Sequence, residues 1–198
     1  RRPSGLPLPG AALAAVLLAA ALAAACGGRE DPATPEPPPP PPDLTGAIIL
    51  LLPSQGDGRL DPELAFWLGE RAPRTTWILP PRLQSAVDRS PGWRVQLDAL
   101  PPGFTEVHGR RRVTGALYDH LRRLGAMHDT RLALIPYPTA APVIDSTGVA
   151  LELTGVLVDG VGGRVVWHGT VRSDPAPPGS APSPASAAEA LARALSPL

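Results

Sequence analysis

Lysine and asparagine are missing from the 198 residues, and cysteine and methionine occur once each. All 18 basic side chains are therefore arginine. Without lysine there is no amine for a Walker-type phosphate loop or a Schiff base. A single thiol excludes an internal disulfide and a multi-cysteine zinc site. Aromatic residues are 4% of the chain, so the core must be mostly aliphatic. Nor does one sign of charge dominate: 18 basic groups face 18 acidic ones, which removes any net pull toward nucleic acid or an anionic surface. What is abundant is punctuation. With 28 prolines and 20 glycines, nearly a quarter of the residues break regular structure, and not all of the chain can be packed domain. The 43% of hydrophobic residues still suffice for the core of one domain of ordinary size.

Arg1 and Arg2 are followed by an uncharged apolar stretch from Ala11 to Ala25. No Met precedes them, which suggests a start slightly inside the gene product. A positive segment, a short apolar run and small residues before a cleavage point describe a secretory signal over 1–25. A membrane-spanning helix needs about 20 apolar residues, more than this alanine-rich run supplies. The run ends in Leu22-Ala23-Ala24-Ala25-Cys26, then Gly27-Gly28. It resembles the lipobox of bacterial lipoproteins, where small residues precede a Cys that is acylated and becomes the new amino terminus. The sequence departs from the commonest pattern at Ala23, where Leu is usual, with Leu22 displaced by one position. The resemblance implies that Cys26 is the lipidation site and that membrane lipid is its partner. Gly27 stands where Asp favours inner-membrane retention in that family, which implies transfer to the outer membrane, facing the periplasm. One acyl chain anchors only marginally, whereas two or more make membrane residence stable. A secreted, unlipidated product is the alternative.

Residues 26–43 read as a tether. Pro37 to Pro42 are consecutive and favour extended polyproline II, which at about 3.1 Å per residue gives a stand-off of roughly 50 Å. An α/β domain is expected over 44–172. Ala47 to Leu52 (AIILLL) reads as a buried strand, Ser54 to Gly58 as a loop, and Asp61 as the cap of a helix carrying Leu64, Trp67 and Leu68. Thr75 to Leu79 is a second strand, and a short helix with Leu83, Ala86 and Val87 follows. Trp93 to Leu97 alternates and reads as an edge strand; Gly103 to Arg112 reads mostly as loop. A helix is predicted over Thr114 to Met127, a strand over Arg131 to Tyr137, and a connecting loop over Pro138 to Gly148. Val149, Leu151, Leu153, Gly155 and Leu157 share one face of a strand, which Gly160 to Gly163 turns into Arg164 to Arg172 as an antiparallel hairpin. Residues 173–185 read as a Pro/Ser-rich linker, and 186–198 as a short helix with Ser186 and Glu189 as capping box, expected to dock.

Strands alternating with helices and closing on a hairpin make this a single small α/β domain: a mixed sheet with helices packed on it. The opening AIILLLP, a helix leading into LALIPY, and the turn residues Asp159, Gly163 and Arg164 with Trp167 resemble the small domain of the curli-production lipoprotein. They resemble equally the amino-terminal domain of the Tol-system translocation protein. The likeness covers about Gly46 to Arg172.

Chemistry is harder to find. His120 and His128 lie on one predicted helix, each beside an Asp, but eight positions separate them by roughly 80° and about 12 Å. They cannot share a metal ion, and His108 and His168 add no ligand spacing. Ser54 follows a buried strand without the surroundings of a nucleophile elbow. Asp57, Asp61 and Glu63 lack the other ligands of a calcium loop. Gly56-Asp57-Gly58 and Gly160 to Gly163 are not dinucleotide fingerprints. Arg110, Arg111 and Arg112, with Arg122 and Arg123, form the one basic cluster and read as solvated surface, with lipid headgroups or an acidic partner as the alternative. No catalytic residue, cofactor or metal is expected. The expectation is a non-enzymatic, lipid-anchored envelope protein whose domain meets another envelope protein and no nucleic acid. The alternative is a small-ligand-binding lipoprotein using the loops Pro53 to Arg59 and Pro138 to Gly148.

Overall fold

Strand β1 (Ile48–Leu51) has no polar position because both of its sides are covered: Ile49 and Leu51 enter one core cluster and Leu50 enters another. In this computed structural model the described residues are 40–101, 104–107, 110–139, 141–177 and 179–196. The predicted export signal, Cys26, the predicted tether up to residue 39 and His108 lie outside them.

After β1 come α1 (Leu60–Arg71), β2 (Thr76–Ile78) and α2 (Pro80–Asp88). An edge hairpin of β3 (Phe104–Val107) and β4 (Arg110–Val113) leads into α3 (Gly115–His128) and β5 (Leu132–Pro138). A small hairpin of β6 (Val143–Asp145) and β7 (Gly148–Ala150) precedes β8 (Glu152–Asp159), β9 (Arg164–Arg172) and α4 (Pro184–Leu195). The main sheet has seven strands in the order β2-β1-β5-β8-β9-β4-β3. β1 is parallel to β2 and β5; every other pairing is antiparallel. The sheet is mixed, as expected.

Connectivity explains the layers. The chain steps outward from β1 to β2 through α1, then back past β1 to β5 through α2 and α3. Right-handed crossovers in opposite directions place their helices on opposite faces. Leu60, Leu64 and Leu68 of α1 join Leu134, Leu153, Leu157 and Trp167 on one face. Leu83 and Val87 of α2 and Leu117, Leu121 and Leu124 of α3 join Ala133, Ile135, Val156 and Val158 on the other. The final helix completes the first layer. Ala187, Ala188, Leu191 and Ala192 are fully buried, and Gly155 lets Leu191 and Trp167 approach the sheet: a Cβ there would lie 2.6 Å from Leu191 Cδ1. Glu189 of α4 bridges Arg71 at 3.0 Å and Arg193 at 2.7 Å. The residues before α4 are held by backbone bonds to β7, with Val149 N–H donating to Ala176 O at 2.9 Å and Ala176 N–H to Val149 O at 2.8 Å.

Four local expectations are corrected. Trp93 to Leu97 is not an edge strand: the alternation is real, with Trp93 and Leu97 buried and Arg94 and Gln96 exposed, but no strand pairs with it. Its backbone is satisfied by two glutamines. Gln84 Nε2 donates to Val95 O (3.2 Å) while Gln84 Oε1 accepts from Leu97 N–H (3.2 Å). Gln55 likewise donates to Leu97 O (3.0 Å) and accepts from Leu100 N–H (3.1 Å). The edge is supplied by β3 and β4, within the stretch read as loop. The predicted strand from Val149 is broken at Leu151, because its first part pairs with β6 in the segment read as a connecting loop. Finally, both caps move. Asp61 lies inside α1, and Ser183 caps α4 by accepting from Ser186 N–H at 3.3 Å.

The β8–β9 turn is set by Gly163 at φ 65°. There a side chain would be strained, and its Cβ would stand 2.9 Å from Val113 O. Because α4 completes the layer that α1 begins and Leu191 is fully buried there, Leu191→Ala should cost about 2–5 kcal/mol. Urea unfolding followed by circular dichroism is expected to show that loss as one cooperative transition shifted to lower urea.

Candidate functional surface

Ser54 leaves β1 at the sheet end where open α/β folds keep their ligands. The loop is tied into itself. Ser54 is 1% exposed; Asp61 Oδ1 accepts from its N–H and from its hydroxyl, each at 2.7 Å, and the Asp57 carbonyl accepts as well. The Arg59 guanidinium beside Asp57 holds that carboxyl below the usual carboxylate range and closes the loop with a 2.8 Å ion pair. Gln55 Nε2 bonds back to Pro53 O at 2.9 Å. Ser54 therefore touches a carboxylate and a carbonyl, with no imidazole among its hydrogen-bond partners. A serine nucleophile needs a base within reach, and Asp61 is occupied in holding the turn. Asp57 and Asp61 face different partners, and no group of three or more His, Cys, Asp or Glu among the described residues could hold a metal ion.

The histidines have separate environments. Trp93 Nε1–H donates to His120 Nδ1 at 3.2 Å, with the ring planes inclined by 26° and their centroids 5.9 Å apart. Burial, then the Arg123 charge, lowers the His120 pKa below the ordinary value; Asp119 acts in the opposite sense. His128 is lowered by burial, then by Arg82 and Arg89, and its Nε2 is buried without a hydrogen-bond partner. His168, opposite Val156 on β9, is lowered by burial and by Arg111. Nearby on β5, burial raises the Tyr137 hydroxyl far above its ordinary pKa, and its ring meets Phe104 edge-on at 5.5 Å.

The basic cluster is divided between two elements. Arg110 to Arg112 belong to the edge hairpin, whereas Arg122 and Arg123 lie on α3; Arg123 Cζ sits 5.7 Å over the Trp93 ring. That cation–π contact, the Trp93–His120 bond and the two glutamine clamps were missed in sequence. The available signal was a half-polar stretch, Trp93 to Leu97, with buried-type residues and no strand partner.

The surface clefts among the described residues include three of note. One of about 720 Å³ is lined by residues 88–96, including Arg89, Trp93 and Arg94. One of about 490 Å³ lies between Pro41–Thr45, Arg71–Thr75 and the end of α4. One of about 420 Å³ lies beside Ile48, Leu132 and Val166, rimmed by Asp129, Arg131, Asp159 and Arg164. None of these is lined by the loops Pro53 to Arg59 or Pro138 to Gly148. No helix among the described residues is long and apolar enough to cross a membrane.

No protein-family model matches the chain, and no curated protein matches it. Among solved structures, it is similar to a dodecameric PelC variant from Paraburkholderia phytofirmans, at 14% identity and TM-score 0.46 over 80% of this chain and 92% of that one. A second PelC dodecamer from the same organism gives 13% identity and TM-score 0.45 over 83% and 94%. Lipoprotein GNA1162 from Neisseria meningitidis gives 14% identity and TM-score 0.43 over 69% and 86%. At these identities the likeness is one of fold alone.

Ser54→Ala removes a buried hydroxyl and leaves Asp61 Oδ1 with one partner fewer, so it should lower stability by about 1–3 kcal/mol. Turnover of activated esters should be the same for both proteins, at the uncatalysed background. A Ser54-dependent rate would overturn the structural assignment of this hydroxyl.

Proposed function

We propose that this chain is a non-enzymatic lipoprotein of the bacterial cell envelope, anchored through Cys26 and presenting its α/β domain to another envelope component in the periplasm. The observation that carries the reading is the position of the lone thiol: it falls directly after Ala23-Ala24-Ala25, at the end of the apolar run and before the Pro-rich stretch. An acylated Cys26 fixes the chain in the membrane, and residues 26–43 set the distance at which the domain of 44–172 works. Gly27 favours the outer membrane over the inner in this reading.

The interior supports a presenting role over a ligand-holding one. Both faces of the central strands are filled by aliphatic side chains from four helices among the described residues. Surface chemistry is then what the domain offers: the cleft of residues 88–96, the edge hairpin with Arg111 and Arg112, and the exposed Phe66 and Ile144, which are 57% and 73% accessible. The resemblance to the curli-production lipoprotein and the Tol-system domain points to the same kind of role, assembly in the envelope.

Cells expressing the full chain and fed an alkyne fatty acid should yield a labelled, membrane-associated protein. Cys26→Ser should lose the label and leave the membrane fraction. Label retained by the variant, or a wild-type protein that washes off membranes in detergent-free buffer, would overturn the anchor. Crosslinking in intact cells should recover the domain joined to a second protein; persistent recovery as a lone monomer counts against presentation.

A further inference from the structure

The two histidines of α3 that share no metal do share a neighbour: the segment leaving α2. His120 meets Trp93; the charges of Arg82 and Arg89 in the α2 region act on His128, and its neighbour Met127 accepts through Sδ from Ser90 Oγ at 3.9 Å. We propose that this contact is a latch released by acid: neutral His120 and His128 hold residues 89–95 against α3, and protonating them frees the segment and opens the cleft it lines.

The geometry sets the protonation state. An indole N–H can only donate, so His120 Nδ1 must accept with its lone pair, and the proton of the neutral ring sits on Nε2. A protonated His120 would turn a donor toward the Trp93 donor and lose the bond. It would also add a positive charge beside Arg123, whose guanidinium already covers the Trp93 ring. At His128 the added charge would meet Arg82 and Arg89 with its buried Nε2 still unpartnered. The opposing charges are few. Asp119 favours protonation of His120, and Asp88, which lines the cleft with Arg89 and Arg94, already accepts from Gln84 Nε2 at 2.9 Å. The uncharged Gln84 clamps on Val95 and Leu97 do not titrate in this range, so release stops there.

The direction follows from linkage. Burial, reinforced by neighbouring arginines, lowers both histidines in the docked state. Such a group stabilises docking fully above its free value of about 6.5, and the stabilisation is lost as pH falls below that, because the undocked segment takes up protons first. Down to the docked-state value, each histidine changes the docking equilibrium by about tenfold per pH unit.

Amide hydrogen exchange on the full chain tests this at pH 7.5 and 5.5, corrected for the intrinsic pH dependence and referred to the β8–β9 hairpin. Protection of residues 89–95 should fall severalfold at the lower pH. In His120→Gln/His128→Gln it should not change with pH. Equal protection at both values in the wild-type chain, or an undiminished drop in the double variant, overturns the latch. An imidazole titration by NMR provides a check free of substitutions: His120 must titrate below the free value of about 6.5, and titration at or above it overturns the proposal.

Discussion

Burial on both sides of the central strands is the constraint from which the rest follows. β1 and β5 are apolar at successive positions, so each turns hydrophobic side chains to both faces of the sheet, and neither face can be left wet. Opposed crossovers supply α1 to one face and α2 with α3 to the other. The first face is wide, since Leu153, Leu157 and Trp167 of the β8–β9 hairpin extend it beyond the reach of α1. The last helix closes that gap with alanines and leucines, and Gly155 provides the space. The carboxy-terminal segment is thus part of the core, although it follows a proline-rich stretch.

A second requirement is that the backbone crossing the α2–α3 face finds hydrogen-bond partners without being a strand. Gln55 and Gln84 meet it, each offering one donor and one acceptor: Gln84 spans Val95 and Leu97 as a neighbouring strand would, and Gln55 spans the turn from Leu97 to Leu100. Gln55 comes from the loop after β1 and Gln84 from α2, so the segment 95–100 is held by two different elements. Ser54 and Asp61 stabilise the first of these. Polar side chains at the sheet end where an enzyme would keep its chemistry are here consumed in fastening the fold.

That consumption bears on function. In the proposed function, a domain filled on both sides, with its best-placed hydroxyl bonded to its own loop, works through its surface. Its charged and aromatic features lie at the periphery: the edge hairpin, the exposed side chains of α1 and β6, and the cleft beside Trp93. The Trp93, His120 and Arg123 group joins that cleft to α3 through contacts that depend on protonation, so the surface is coupled to pH by local electrostatics.

Much of the architecture was legible in the residues. The apolar run Ala47 to Leu52, the period-2 hairpin around Gly160 to Gly163, and the 3.6-period stripe Leu117, Leu121 and Leu124 each report a local pattern that burial imposes directly. The edge was not legible, because Trp93 to Leu97 and Arg110 to Val113 carry equally weak strand patterns and only pairing with β9 distinguishes them. Ser186 and Ser183 are both competent caps, and the choice depended on where α4 met the sheet. What the chain's chemistry determined alone was its fold class: a punctuated chain in which strands alternate with helices. Tertiary structure decided which polar groups would be spent. Ser54, Asp61, Gln55, Gln84, Trp93 and His120 acquire their roles only from partners up to 45 positions away, and no local periodicity encodes a contact between segments that meet only when the core closes.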